Sequence, residues 1–276
     1  MASKMLLVVF LLVVISMVEC TVVTTQTYEK SEESQVISSL PDVVAKPQNR
    51  NQTILVLKWT PSYCALFGQS AATCFITPYQ GPFFDIQDMS TASTSDPITI
   101  FENCNGPVFN PNTLTTSILD YMHVYWPSLT NANGNITQSN LDNWSAVWAT
   151  VGTCTGLSQR EYFNAIVKIY RKYEFEVALN AAGIVPDNEK LYNVDDIVKA
   201  LSSHVGHRVR VYCNAIPTTQ GGFLFSEVFV GYSIRERKVV DCENVGPFEC
   251  PAGTQVLFPP PPCPNNVALE VGRSKA

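Results

Sequence analysis

Three histidines in 276 residues, and charged side chains at only 15%, leave this chain short of groups that move protons near neutral pH. Its nine cysteines contain no C-x2-C or C-x4-C pair matched by a second such pair, which argues against a structural zinc site. No internal repeat is present, so a solenoid or propeller is excluded. Lys and Arg number 18 against 24 Asp and Glu, a net charge of −6. An acidic chain repels a phosphate backbone on average, and broad, sequence-independent nucleic-acid binding is not expected. A metal and a cofactor are likewise not expected. The stretch Ser145 to Cys154, SAVWATVGTC, contains no side chain that titrates near neutrality.

What is present points to the secretory pathway. Residues 1–20 place Lys4 ahead of a largely apolar run, Met5 to Val18, too short for a membrane span and suited to a cleaved signal. Removing it takes away Lys4 and Glu19, so the net charge is unchanged. Eight cysteines then remain, Cys64, Cys74, Cys104, Cys154, Cys213, Cys242, Cys250 and Cys263. An even set in an oxidising compartment reads as disulfides, whose connectivity spacing alone leaves open. Sequons at Asn51, Asn135 and Asn143 mark glycosylation sites. The mature chain is expected to be extracellular or vacuolar, monomeric and free of the membrane.

Residues 21–51 are polar, rich in Ser and Thr and without period, a disordered leader or pro-segment. A folded domain is expected over 52–258, followed by a proline-rich tail over 259–276. Thr53 to Trp59 is a short run of β-formers closed by Thr60-Pro61, a buried strand. Ser158-Gln-Arg-Glu161 is a capping box, after which Phe163, Ile166, Tyr170, Tyr173 and Val177 recur at helical spacing. Asn193 caps a second helix from Val194 to about Ser203, with Ile197, Val198 and Leu201 inward. Strands follow at 208–213, 223–230 and 238–242, and helices ahead of a strand run indicate α+β. His123 reads as an aromatic neighbour, and His204 and His207 as cations at a helix end. Arg208 and Arg210 read as the wet face of a strand, and Arg235, Arg237 and Lys238 as a solvated turn.

Several segments share one order: Leu57-Lys-Trp-Thr-Pro-Ser-Tyr-Cys64, Trp126-Pro-Ser-Leu129, Trp144 to Cys154, Tyr162-Phe163 and Gly183-Ile-Val-Pro-Asp187. Over about Gln52 to Phe258 they resemble the T2-type secreted ribonucleases, especially the plant S-like branch. That resemblance implies a twisted antiparallel sheet packed with helices and stabilised by disulfides. It also implies two catalytic segments, patterned F-x-I-H-G-L-W-P and H-E-W-x-K-H-G-T-C. Here Phe84 to Thr91 takes the first place, with Gln87 at the His and Ser90 at the Trp. Ala146 to Cys154 takes the second, with Ala146 and Val151 at the two His, Val147 at the Glu and Thr150 at the Lys.

Transfer of a phosphoryl group to the ribose 2′-oxygen needs a base, an acid and positive charge at phosphorus. Each acid–base group contributes about 10²–10⁴-fold, and none of the five replacements supplies one. With these groups missing, a catalytically inactive member is expected, and storage, which sets no demand on the cleft, is the leading role. The alternatives are a binding, defence or recognition protein holding a small ligand, glycan or protein in the degenerate cleft, and a residual endonuclease.

The same resemblance implies the pairs Cys64–Cys74, Cys104–Cys154 and Cys213–Cys250. Another family pair is absent, its two positions occupied by Phe75 and Asn131. The usual partner of Cys242, expected near Gly231, is missing too, so Cys242 is expected to pair with Cys263.

Overall fold

The computed structural model describes residues 51–67, 84–93, 99–129, 134–216, 222–243 and 249–261. Within them the chain builds one seven-stranded sheet with helices on one face. The signal run, the leader up to residue 50, Cys74, Phe75, Asn131 and Cys263 lie outside the described residues.

Strand β1 (Asn51–Lys58) comes first, and helix α1 (Thr60–Phe67) starts where Trp59 closes the strand. Strand β2 (Asp85–Ser93) pairs antiparallel with β1 and is the outermost strand on that side. Helices α2 (Thr116–Tyr125) and α3 (Ile136–Thr150) follow. A 3-10 turn (Gly152–Thr155) then leads to helix α4 (Gln159–Tyr173) and helix α5 (Phe175–Ala181). The remaining elements are β3 (Leu191–Asn193), α6 (Val194–Val205), β4 (Arg210–Ala215), β5 (Phe223–Ser233), β6 (Lys238–Val240) and β7 (Gln255–Leu257).

The eleven-residue β5 is the spine of the sheet. Phe229 is opposite both Val56 and Arg210, and Tyr232 is opposite both Thr53 and Val239. One edge of β5 therefore carries β1, and the other carries β4 and then β6. β1 ends opposite Glu227, and Trp59 donates its backbone N–H to Ser226 O at 2.7 Å. The rest of that edge is taken by β7, which runs parallel to β5 through Phe223↔Val256 and Leu224↔Leu257. The sheet is otherwise antiparallel, as expected, and at this one pairing β7 enters along a stretch of edge that β1 has vacated.

Alternation sorts the two faces. Leu55, Leu57, Ile86, Met89, Val228 and Val230 point to the helices and join the main core, with Trp126, Trp144, Trp148, Tyr162 and Phe163. Ile54, Val56, Ala92, Phe229 and Cys242 form a smaller cluster on the other face. The expected strands and both capped helices are present. Ser158 and Glu161 bond reciprocally across the first turn of α4, and Asn193 accepts from Asp195 N at the start of α6. Phe258, 2% exposed, is a core residue at the edge of the domain expected over 52–258.

The helical face read through to Val177 is not continuous. The chain turns at Glu174, so Phe175 is buried at 1% exposure while Val177 is 55% exposed. The break lets the next residue, Glu176, accept the Phe84 backbone N–H with its carboxylate, anchoring the start of β2.

Several backbone groups on the outer side of β2 are bonded by groups from elsewhere. The Tyr170 hydroxyl donates to Phe84 O, Trp126 Nε1 to Gln87 O at 3.1 Å, and the Tyr162 hydroxyl accepts from Met89 N at 3.1 Å. Beyond these, Phe101 N donates to Thr91 O at 2.9 Å and Ser93 N to Thr99 O at 2.8 Å.

Candidate functional site

Gln87 occupies a β-bulge. Val56 is opposite Asp88 and Leu57 opposite Ile86, which leaves Gln87 as the extra residue of β2. A bulge re-aims a side chain out of strict alternation, a device common beside active sites. The Gln87 amide bonds to the Asp88 carboxylate, as does the side chain of Ser90, which is 4% exposed.

The second segment lies on the last turn of α3. Ala146 is exposed, Val147 is half-buried against the main core, and Val151 is 8% exposed and caps the helix through its N–H to Val147 O. Thr150 is half-buried and its backbone carbonyl accepts from Asn103 N at 2.6 Å. Val147 and Val151 therefore act chiefly as packing residues. The two segments are joined through tryptophans: Trp126 donates to Gln87 O, and Trp144 of α3 donates to Trp126 O at 2.8 Å.

Gly152, Thr153 and Cys154 each have a structural partner. A Cβ on Gly152 would come within 2.5 Å of the Trp148 ring, so only glycine fits the approach of turn and indole. The Thr153 hydroxyl donates to Cys104 O at 2.9 Å, and Cys154 is bonded to Cys104. Cys213 is bonded to Cys250, and Cys64 is disulfide-bonded, with its expected partner Cys74 outside the described residues.

Cys242 departs from expectation. It is a free thiol at 0% exposure, and burial pushes it up to about 12. It is enclosed with Ile54, Val56, Ala92 and Phe229, and a bridge to Cys263 would have to open that cluster. Gly231 lies directly beside it: a Cβ there would fall 2.9 Å from Cys242 Cα.

Of the three imidazoles, two are held by neighbours and one is exposed. His123 Nδ1 shares a hydrogen bond with Asn140 Nδ2 at 2.8 Å and its ring meets Trp144 at 4.8 Å, while burial lowers its pKa. His204 ends α6 and is exposed, and His207 faces Asp241 at 3.5 Å. Arg210 pairs with Glu249, Arg208 with Glu243 and Arg237 with Glu161. Of the sequons, Asn135 is exposed at the cap of α3, Asn143 is half-buried within that helix, and Asn51 starts β1.

Sequence reasoning passed over the charges that flank Gln87. Asp85 and Asp88 sit on either side of the Ile86-Gln87 pair, Lys58 is opposite Asp85, and Glu227 is opposite Lys58. Burial raises Asp85 and Glu227 to about 7 and Asp88 to about 6. Two acids within the first segment, at places where the pattern carries none, were the available signal. Among the described residues no group of three or more His, Cys, Asp or Glu is placed to hold a metal ion, and no helix is long and apolar enough to cross a membrane.

Known proteins extend this picture. The intracellular ribonuclease LX of tomato (Solanum lycopersicum) is 29% identical over 158 residues, 57% of this chain and 64% of its own length. Ribonuclease DdI of Dictyostelium discoideum is 27% identical over 219 residues, 78% of this chain and 87% of its own. A ribonuclease-like storage protein of Panax ginseng is 24% identical over 147 residues, 50% of this chain and 56% of its own. The crystal structure of RNase NT in complex with 5′-AMP superposes with a TM-score of 0.63 at 25% identity, covering 77% of this chain and all of that one. The family model itself matches residues 51–242, from the first strand to Cys242, and on that match, with the shared fold, the chain belongs to the ribonuclease T2 family.

Proposed function

We propose that this chain is a T2 ribonuclease scaffold without RNA-cleaving activity, a secreted or vacuolar glycoprotein of storage type. The observation that carries the reading is the content of the two segments. The bulge in β2 presents Gln87, whose amide does not titrate, and the end of α3 presents Ala146, Val147, Thr150 and Val151. No imidazole stands in for them: His123 is held by Asn140 and Trp144, and His207 by Asp241. The disulfides and the Gly152 turn keep the frame of the site for stability. The storage assignment draws on the ginseng relative, which is described as a ribonuclease-like storage protein. A stable, abundant fold suffices for that role and sets no demand on the cleft.

The test compares the purified parent with a variant carrying Gln87→His, Ala146→His, Val147→Glu, Thr150→Lys and Val151→His on RNA between pH 4 and 8. The parent is expected to be silent and the folded variant to cleave. Cleavage by homogeneous parent protein at the rate of an active relative would overturn the proposal.

A further inference from the structure

At the start of β2 three carboxyl groups, from β2 and β5, share the Lys58 ammonium, and a fourth, Glu176 of α5, adds negative field at Asp85. Lys58 is opposite Asp85 in the β1–β2 ladder and opposite Glu227 in the β1–β5 ladder, so it lies between two carboxylates in a row across three strands. Asp88, opposite Val56, projects from the same sheet face as Lys58. Glu176 approaches from α5 and accepts the N–H of Phe84. Asp85 is 2% exposed, and Lys58, Asp88, Glu176 and Glu227 are half-buried.

The surroundings add little positive charge. The Lys58 ammonium sits 4.8 Å from the Tyr63 ring, the Thr60 hydroxyl donates to Asp85, and Gln87 and Ser90 bond Asp88. Glu102 adds negative field at Asp88, and Glu174 does so at Glu176. From the helix side come the hydroxyls of Tyr162 and Tyr170, and on β4 Tyr212 is opposite Glu227.

We propose that this cluster is an acid-set latch on the strand that carries Gln87. At neutral pH its carboxylates outnumber Lys58 and repel one another, and proton uptake on mild acidification fastens Phe84 to Asp88 onto β1 and α5. Burial pushes Asp85, Glu176 and Glu227 up to about 7 and Asp88 to about 6, and lowers Lys58. A carboxyl whose pKa is raised on folding binds its proton more tightly in the native state. Stability then rises as pH falls from about 7.5 towards the unfolded carboxyl value near 4, by about tenfold in the folding equilibrium per pH unit for each extra proton held.

The test measures hydrogen exchange of residues 84–89 and the melting temperature of the mature protein from pH 8 to pH 5, beside Glu176→Gln with Glu227→Gln. After correction for intrinsic exchange, protection of the parent should grow at least tenfold on acidification, and the double variant, which keeps Asp85 and Asp88, should lose about half of that dependence. Flat or falling protection in the parent would overturn the latch, as would a folded double variant with the parent's slope. Should the variant not fold, calorimetry of the parent at pH 6 in buffers of different protonation enthalpy decides. Net proton release on unfolding supports the latch, and uptake or no exchange refutes it.

Discussion

Reinstating a cysteine at Gly231 tests the account of the buried thiol. Residue 231 is separated from Cys242 by 11 positions (242 minus 231), and closing such a loop would restrict the unfolded chain by about 3 kcal/mol. The native state opposes it. A Cβ at Gly231 would lie 2.8 Å from the carbonyl oxygens of Val240 and Asp241 and 2.9 Å from Cys242 Cα, all backbone atoms that cannot rotate away. A bridge requires Cβ atoms about 3.5–4.5 Å apart and side chains directed at one another. Reaching that geometry means moving β6 off Gly231, Tyr232 and Ser233. Overpacking costs about 1–3 kcal/mol and each lost ladder hydrogen bond about 1 kcal/mol, which together match or exceed the gain. Gly231→Cys should therefore show one more titratable thiol than the parent in denaturant. Its melting temperature should drop by about 2–10 °C. A variant with one thiol fewer than the parent and a raised melting temperature would refute the reasoning.

Replacing both Cys104 and Cys154 by Ser opens a loop with a sequence separation of 50 and should cost about 4 kcal/mol, read from urea unfolding. Ser158→Ala removes the cap of α4 and should lower stability by about 1 kcal/mol, a shift of about 2–4 °C in the melting temperature. The same cap sets an acid limb. The Ser158 hydrogen bond holds Glu161 below the usual carboxylate value, so its contribution is present above about pH 4.5 and is lost as pH falls further. The rise in stability on acidification should consequently turn over near pH 4–5, and in Ser158→Ala the descent should be shallower.

The parts of the fold set by local chemistry were legible in the chain. The capping box, the Asn193 cap and the alternation along β4 and β5 depend on neighbours within a few residues, and they appear where the spacing put them. The misses were non-local. The break at Glu174 serves a contact with Phe84, 92 positions from Glu176, and the parallel seat of β7 depends on where β1 stops. Cys242 was assigned a partner on parity, yet burial keeps the thiol inert without one. In the candidate site, residue order located Gln87 and the end of α3, but the acids around Lys58 became a cluster only when three strands brought them into one row. The bulge at Gln87 was equally hidden, since it arises from the register of β1 against β2.

The sealing of β2 bears on how much of this protein can be kept in one place. An outermost strand with free amides and carbonyls is a template on which a second molecule can add its own strand, and the risk grows with concentration. Here each outward group named above is already occupied, by a carboxylate, an indole, two phenols and the chain at 99–101. At those positions the rim is closed to an added strand, so a neighbour cannot extend the ladder there.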